Sequence, residues 1–468
     1  MSTTDPSATP TPAPAPAKAN TKGRVIVASL VGTSIEFYDF YVYATAAVLV
    51  FPRLFFPNAE GVTALLSSFA VFGVAFIARP LGSIVFGHFG DKVGRKGTLV
   101  ASLLTMGIAT FLIGCLPTAL TPGWTILGPA LLVVLRFAQG LALGGEWSGA
   151  ALLATENAPA DKRAVWGTFP QLGAPIGFIL ANGLFLLLSF QLTSDQFDDW
   201  GWRVPFLASA VMVIIGLYVR LKLVETPAFQ KVVDSGEVSK MPLSRAFKYS
   251  WREMIAGTFI MLATYVLFYL MTTFTLSYGT AAKSEEAARA TAEKAGKAFD
   301  PDTFAAGLGY ARNDFMLIIG VVFFGIFTLV SGPLAEKFGR RKTLLVVTTG
   351  ILLFGFTFSP LLGGGTVGVM ALLIIGFTLM GLTFGPMGAM LPELFPTNVR
   401  YTGSAIAYNV SSILGAAVAP FIAVALWQAA DGSPWLVGVY LSSMAVLTLI
   451  ALFVTRDTKD VDYTNHSS

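Results

Sequence analysis

The chain has 468 residues, of which 54% are hydrophobic and only 12% carry a charged side chain. Because about 25% of the residues in a soluble domain are charged, this composition excludes a soluble protein and indicates a membrane protein. The net charge of +4 at pH 7 does not indicate a nucleic-acid partner, and the single cysteine excludes both an internal disulfide and a cysteine metal cluster.

Twelve apolar runs follow a short polar start. Residues 1–22 are rich in proline, alanine and threonine, so we expect a disordered cytoplasmic tail and not a signal peptide. The later runs have the length of about 20 residues that an α-helix needs to cross a bilayer. The fold class is therefore predicted to be an all-α polytopic membrane protein. The predicted helices are 24–50, 62–89, 97–117, 127–156, 164–191, 202–222, 252–280, 313–337, 342–361, 367–392, 401–428 and 434–455.

Polar segments divide this series of helices. Residues 223–251 form the longest predicted cytoplasmic loop and are expected to link an N-terminal bundle, 23–222, to a C-terminal bundle, 252–455. Residues 281–312 have mixed charges and an alanine-rich helical pattern, so we expect a surface loop on the outward side without chemistry. Residues 456–468 are predicted to be a short cytoplasmic tail.

Two charged motifs each occur twice. The segment GHFGDKVGRK, residues 87–96, recurs in register as GPLAEKFGRR, residues 332–341. Gly94 in the first copy permits a very tight turn. The segments 156–163 and 393–400 form a second pair, in which an acid precedes an arginine by the same distance. These repeats predict two parallel six-helix bundles with the binding site between them at mid-membrane.

Lysine and arginine are distributed unevenly between the two predicted sides of the membrane. With twelve crossings and a cytoplasmic N-terminus, 22 of them lie on the cytoplasmic side and 7 on the other side. Since basic residues favour the cytoplasmic side, both termini are predicted to be cytoplasmic. We expect a multi-pass protein of the cell membrane, surrounded by lipid.

Five ionisable side chains lie inside the predicted helices, and all of them belong to the first half: Glu36, Asp39, Arg79, Arg136 and Glu146. A charge at this depth costs about 2.5–3.5 kcal/mol on insertion scales, and such residues commonly mark transport pathways. The apolar cores of the last six predicted helices contain no such residue. Ion coupling is therefore predicted to reside in the first half.

Depths along the helices sort these residues into two groups. A rise of about 1.5 Å per residue brings Asp39 near Arg136, and Arg79 near Glu146 and Glu36. An aspartate released from its arginine in a low-dielectric site gains proton affinity and expels the proton when it pairs again. We therefore predict that Asp39, Arg136 and Glu36 couple transport to protons. Either group could instead be a structural ion pair that only joins helices.

Several segments together resemble the metabolite:proton symporter branch of the major facilitator superfamily. They are EFYDFYVY (36–43), RPLG (79–82), RFAQGLALGGEW (136–147), FPQLG (169–173), WRVPF (202–206), PELFP (392–396) and RYTG (400–403). The resemblance covers residues 24 to 455, although the loop 281–312 is longer than is usual there. It implies a carrier of 2-oxoglutarate, citrate, shikimate or other aromatic acids, or of the zwitterions proline and betaine, together with protons.

Two further sets of residues are predicted to take part. The substrate-binding set comprises Arg79, Arg136, Glu146, Gln171, Tyr265, Tyr269 and Asn409. A gate at the cytoplasmic end, held by ion pairs between the halves, is predicted from Asp91, Arg95, Glu156, Arg163, Glu336, Arg340, Glu393 and Arg400. Breaking those pairs would open the carrier inward.

The leading hypothesis is a secondary active transporter that takes up a small organic acid by proton symport and alternating access. A proton-coupled importer of a zwitterionic osmolyte is the alternative. A drug:proton antiporter is a third possibility, since residues 173–177 place glycine and proline together on the fifth helix. Because no nucleophile–base or metal constellation is present, we expect no enzyme activity and no cofactor, with the proton as the coupling ion. We also expect a monomer without a nucleic-acid partner.

Overall fold

The computed structural model describes residues 22–59, 61–93, 95–144, 146–221, 248–280, 309–396 and 399–459. Within these ranges the fold is all-α, without a β-strand. The first half contains α1 (Lys22–Leu49), α2 (Gly61–Val93), α3 (Arg95–Cys115), α4 (Leu127–Leu143 and Glu146–Glu156), α5 (Arg163–Gln171 and Gly173–Gln191) and α6 (Arg203–Leu221). The second half contains α7 (Trp251–Tyr269, Leu270–Phe274 and Thr275–Thr280), α8 (Gly309–Phe338), α9 (Arg340–Leu362), α10 (Gly365–Glu393), α11 (Arg400–Ser412, Ile413–Ala417 and Ala419–Ala429) and α12 (Trp435–Val454).

These helices have the dimensions of membrane spans. Ten spans in the described part of the chain are long and apolar enough to cross a bilayer, and α1 and the shorter α3 complete the twelve. Large apolar side chains such as Ile214, Val346 and Phe356 are exposed on the outer surface, where lipid would cover them. The predicted fold class, an all-α membrane protein of two parallel six-helix bundles, is confirmed. The predicted linker 223–251 and loop 281–312 lie largely outside the described residues.

The second copy of the repeated charged motif forms a sharp turn. Helix α8 ends at Phe338, α9 begins at Arg340, and Gly339 between them has a φ of 93°. This left-handed backbone favours glycine, which lacks the Cβ atom that other residues would strain there. Gly94 takes the same place in the first copy and lies outside the described residues.

The two ends of the bundle can be told apart by their charges. We call the end where α1 begins and α12 ends the basic face, since the turn between α8 and α9 places Lys337, Arg340 and Arg341 there. The other end is called the opposite face. It carries an exposed ion pair between Arg53 and Asp198, with 2.7 Å between nitrogen and oxygen.

The two halves pack closely at the basic face. Gly167 of α5 lies against Gly388 of α10 with backbone on backbone, so that a Cβ atom on Gly388 would overlap α5 and one on Gly167 would crowd α10. Beside this contact, Ala164, Ala335 and Ala389 form a fully buried cluster. Small residues therefore allow the helices of the two halves to approach closely.

Two helices of the second half contain a π-helical turn where they meet the first half. In α7 the turn is Leu270–Phe274, and all five of its residues are buried. In α11 it is Ile413–Ala417, and a Cβ atom on Gly73 of α2 would lie 3.9 Å from the Ala417 side chain. Such turns are frequent at functional sites, and here they flank the interface between the halves.

Candidate functional site

Arg79 of α2 is a buried cation that lies against two aromatic rings. The carbon of its guanidinium is 4.8 Å from the ring centre of Phe40 and 4.6 Å from that of Phe76. The residue is 6% exposed, and its Nε atom has no hydrogen-bond partner. No acidic side chain in the described part of the chain lies within ion-pair distance of it. Aromatic stacking thus holds the cation while its N–H donors stay available to an anion.

An aromatic wall continues from Arg79 into the second half. Tyr269 of α7 lies 6.0 Å from Phe76, measured between ring centres. Tyr265 lies 5.5 Å from Tyr408 of α11. Tyr408 in turn stacks on Trp147 of α4 at 3.9 Å, with the two rings nearly parallel. Both predicted tyrosines, Tyr265 and Tyr269, are therefore buried at the interface between the halves.

A small cavity adjoins this wall between α1, α5, α7 and α8. Its lining alternates aromatic rings with hydroxyl and amide groups and includes Tyr41, Thr45, Asn182, Tyr269, Thr272 and Thr273. The Thr45 hydroxyl donates to the Asn182 side-chain oxygen at 2.6 Å. In this conformation the space is far smaller than the roughly 300–1,000 Å³ of a small-molecule pocket, so these residues mark polar groups beside the interface and not a formed substrate chamber.

Glu146 forms an ion pair that differs from the prediction. Its carboxylate contacts the guanidinium of Arg220 on α6, and both side chains are buried. Ser102 of α3 also donates to it at 3.4 Å. The predicted pairing of Arg79 with Glu146 is absent. Arg220, in the last turn of α6, occupies the position beside the Glu146 carboxylate. Glu36 lies between the two arginines, within electrostatic reach of both Arg79 and Arg220.

Arg220 was not among the predicted site residues. It stands at the end of an apolar run, where a basic residue is expected to belong to the cytoplasmic loop that follows. One signal was present, since Arg220 lies inside α6 as the structure bounds it, within the last helical turn. An arginine at that depth can extend its side chain back into the bundle.

Asp39 and Arg136, predicted to form a proton-coupling pair, do not contact each other in the described structure. The Asp39 carboxylate accepts a hydrogen bond from Ser209 of α6 at 2.6 Å, and its second oxygen has no hydrogen-bond partner. Arg136 is fully buried, and its guanidinium lies 4.0 Å from the Tyr43 ring centre and 4.5 Å from that of Phe40. Neutral groups and aromatic rings thus replace the expected salt bridge.

Two polar side chains connect Asp39 and Arg136 indirectly. Arg136 donates to the side-chain oxygen of Gln139 at 2.9 Å, and the Gln139 amide donates to the Thr110 hydroxyl at 2.7 Å. The Thr110 hydroxyl lies beside the Asp39 carboxylate. Neither Gln139 nor Thr110 was singled out from the sequence, since a neutral polar residue on an apolar helix carries no distinctive signal.

Gln171 and Asn409, predicted to line the substrate site, form hydrogen bonds between the halves. Gln171 accepts from the Trp147 indole at 2.9 Å and donates to the Phe384 carbonyl of α10 at 2.9 Å. Asn409 of α11 donates to the Ser83 hydroxyl and to the Gly144 carbonyl, both at 2.9 Å. Their polar groups are thus engaged with protein partners in this conformation.

At the basic face, three of the predicted gate residues form one network. Arg340 lies 2.9 Å from Glu336 and 3.3 Å from Glu393, with its own side chain fully buried. Glu336 also accepts from the backbone N–H of Ala164, at the start of α5 in the first half. This bond joins the two halves, because Glu336 belongs to the second half and Ala164 to the first. It is favourable because a carboxylate is stabilised at a helix N-terminus.

The remaining gate residues surround this network or lie outside the described part. Arg163 acts electrostatically on Glu393, Arg400 donates to the Phe395 carbonyl at 3.2 Å, and Glu156 is exposed. The side chains of Asp91 and Arg95 are not among those described. The segment after α12 adds an unpredicted contact, since the buried Thr458 hydroxyl donates to Glu393 at 2.7 Å.

The chain is similar to known transport proteins over most of its length. The profile of the Major Facilitator Superfamily matches residues 29–420. The chain is 56% identical to the inner membrane metabolite transport protein YhjE of Escherichia coli (strain K12), with 94% of this chain and 95% of that protein covered. It is 34% identical to the shikimate transporter of the same strain, covering 93% and 95%, and 31% identical to its proline/betaine transporter, covering 93% and 83%. A crystal structure of a D-xylose-proton symporter has the same fold, with a TM-score of 0.68 at 17% identity over 94% of this chain and 99% of that one.

Proposed function

Since the chain belongs to the major facilitator superfamily, we propose that it takes up a small organic acid together with protons. Its relatives are transport proteins and not enzymes, so transport of a metabolite across a membrane is the function that they have in common. The acid, the proton and the direction of transport are the proposal. The observation that carries it is the buried guanidinium of Arg79.

Arg79 has the properties of an anion anchor. Its charge lies against two aromatic rings, next to the interface between the halves, and no acidic side chain of the described structure is within ion-pair distance of it. Glu36 acts on it electrostatically from α1. A carboxylate can accept two parallel N–H bonds from a guanidinium, a geometry that adds both affinity and orientation. In a carrier of two repeats, a site at this position becomes accessible from each side in turn when the halves rock.

Asp39 is the proposed carrier of the coupled proton. It is 1% exposed, holds one neutral hydrogen-bond donor and leaves its second oxygen without a hydrogen-bond partner. A carboxyl group in such surroundings responds strongly to the approach or retreat of a cation. Arg136 is linked to it through Gln139 and Thr110, and its guanidinium is held by aromatic rings and by Gln139. Movement of Arg136 toward Asp39 would therefore favour release of the proton.

The direction of transport rests on the charges at the two ends. We propose that the basic face is cytoplasmic, because lysine and arginine favour that side. The network of Glu336, Arg340 and Glu393 would then be the inner gate, closed in this conformation. Opening it would require Glu336 to leave the N-terminus of α5. We propose that the monomer carries out the whole cycle.

A zwitterionic osmolyte is the second candidate substrate. The aromatic wall of Trp147, Tyr408 and Tyr265 favours it, since aromatic faces bind quaternary ammonium groups. Glu36 has a carboxylate oxygen without a hydrogen-bond partner, which could attract a cationic group. Arg79 would hold the carboxylate of either kind of substrate.

Uptake into proteoliposomes tests the proposal. Labelled shikimate, 2-oxoglutarate and citrate would be compared with labelled proline and betaine, each with and without an imposed pH gradient, acidic outside. We expect one of the acids to accumulate, and only when the gradient is present. Accumulation of betaine or proline alone would establish the second candidate. Equal accumulation of an acid without the gradient would refute proton coupling.

A further inference from the structure

We infer that Gln139 is a positioning residue that holds Arg136 away from Asp39 and so sets the pH at which Asp39 changes its protonation state. The inference deepens the proposed function, since it concerns the proton site named there. In this inference the neutral amide of Gln139 controls whether Arg136 and Asp39, which do not contact each other in the described structure, can form an ion pair.

Gln139 contacts Arg136 directly and is linked to Asp39 through Thr110. It is 1% exposed, it follows Arg136 by one helical turn on α4, and its side-chain oxygen accepts from the guanidinium at 2.9 Å. Its amide nitrogen donates to Thr110 on α3 at 2.7 Å. The Thr110 hydroxyl donates in turn to the Met106 carbonyl at 2.9 Å, which fixes the hydroxyl in place. Both ends of the Gln139 amide are thus fully engaged.

Arg136 has a reason to move when Gln139 is removed. Its Nε and Nη2 atoms have no hydrogen-bond partner, although the residue is fully buried. Leaving such donors unpaired in a buried site is unfavourable. The guanidinium already lies over Phe40 and Tyr43, which follow Asp39 on α1 by one and four residues. Without Gln139, the Asp39 oxygen that has no hydrogen-bond partner is the acidic acceptor next to these rings along that helix.

The other groups around Asp39 set the background for this effect. The buried ones that can carry charge on α1 and on the helices around it include Glu36, Tyr38, Tyr41, Tyr43, Arg79, Arg136, Glu146, Arg220 and Tyr269. Among them, Arg136 is the one that Gln139 contacts directly. A change at Gln139 therefore acts on Asp39 through Arg136.

Two substitutions at position 139 should act in opposite directions. Gln139→Leu removes the bridge, so that Arg136 can pair with Asp39 and keep it ionised to lower pH. Gln139→Glu adds a carboxylate that pairs with Arg136 and repels the Asp39 charge, so that Asp39 stays protonated to higher pH. An opposite charge at contact distance shifts a carboxyl titration by about 1–3 pH units, and we expect a separation of this order between the two variants.

Infrared titration of the carboxyl C=O band in the reconstituted full-length protein measures this directly, with Asp39→Asn used to identify the Asp39 band. Midpoints that move down in Gln139→Leu and up in Gln139→Glu support the inference. Midpoints that stay at the wild-type value, or that move in the same direction in both variants, overturn it. Thr105→Val is the control on the neighbouring helix α3, because the half-buried Thr105 hydroxyl bonds to the Ala101 carbonyl of its own helix, and it should leave the midpoint at the wild-type value.

The titration also separates this inference from the proposed function. The carboxyl band reports the protonation of Asp39 whether or not protons drive transport. Failure of proton coupling would appear instead as wild-type uptake that does not respond to a pH gradient. Substrate counterflow at one fixed pH verifies that each variant is folded and inserted, and a merely structural role of Gln139 would lower counterflow without moving the midpoints.

Discussion

Arg220 of α6 and Glu146 of α4 form an ion pair inside the first bundle, with side-chain exposures of 8% and 6%. The pair joins two helices that the sequence analysis had not connected. It also releases Arg79 from the structural role of neutralising Glu146. The charges of the first half therefore include a structural pair near the basic face and two arginines, Arg79 and Arg136, that have no acidic side chain within ion-pair distance in the described structure.

Replacing Arg220 should destabilise the protein strongly. Arg220→Met leaves Glu146 buried without its cation, a change that costs about 3–5 kcal/mol for buried pairs. We expect a clearly lower melting temperature of the purified protein. The double variant Arg220→Met with Glu146→Gln should recover most of the loss, because it removes both charges.

The matched control for that experiment is Arg53→Met at the opposite face. Arg53 pairs with Asp198, but its side chain is 57% exposed, and exposed pairs contribute about 0–1 kcal/mol. Comparable destabilisation by Arg53→Met and Arg220→Met would contradict the structural role assigned to the buried pair.

Arg79→Lys should weaken binding of an acidic substrate at least about tenfold, since an ammonium group cannot reproduce two parallel N–H bonds. Binding to the purified protein measures this, and unchanged thermal stability shows that the fold is intact. Because Glu146 is already paired with Arg220, the double variant Arg79→Met with Glu146→Gln should not restore transport. Rescue by that double variant would show that Arg79 is only a counter-ion.

The contact between Thr458 and Glu393 should help to keep the basic face closed. A cysteine at Ala389, which is fully buried between the halves, reports opening when the native Cys115 is replaced by serine. Thr458→Val removes the hydrogen bond to Glu393, so we expect maleimide labelling of that cysteine to become severalfold faster.

Thr455→Val is the control for Thr458→Val. Its hydroxyl bonds only to the Ala451 carbonyl of its own helix, so labelling at position 389 should stay at the background rate. If both variants label at the same rate, the segment after α12 takes no part in closing the basic face.

Gly388→Ala should prevent close packing of α5 on α10. The added methyl group would overlap the backbone of Gly167, and neither backbone can yield without separating the halves. We expect faster labelling at position 389 and slower transport. Gly183→Ala provides the comparison, since a Cβ atom there meets no other atom within 4 Å; a similar loss of transport in both variants would contradict the packing argument.

The sequence predicted those features that follow from periodicity and repetition. The twelve helices are found within a few residues of their expected bounds, and the turn at Gly339 occurs where the repeat placed it. Glu336 and Arg340, one helical turn apart, do pair. Pairing between distant helices was harder to predict, because depth along a helix does not determine which face a side chain occupies. Arg220 and Gln139 therefore entered the account only through the structure.

Proton coupling through Asp39 is tested most directly by a comparison of wild-type protein and Asp39→Asn in the same proteoliposomes, using the acid that the wild type accumulates. Counterflow exchange requires only binding and alternating access, whereas accumulation against a gradient requires the coupled proton. We predict that Asp39→Asn keeps counterflow and loses accumulation driven by the pH gradient, because an amide cannot carry the proton. Accumulation at the wild-type level by Asp39→Asn would contradict the account.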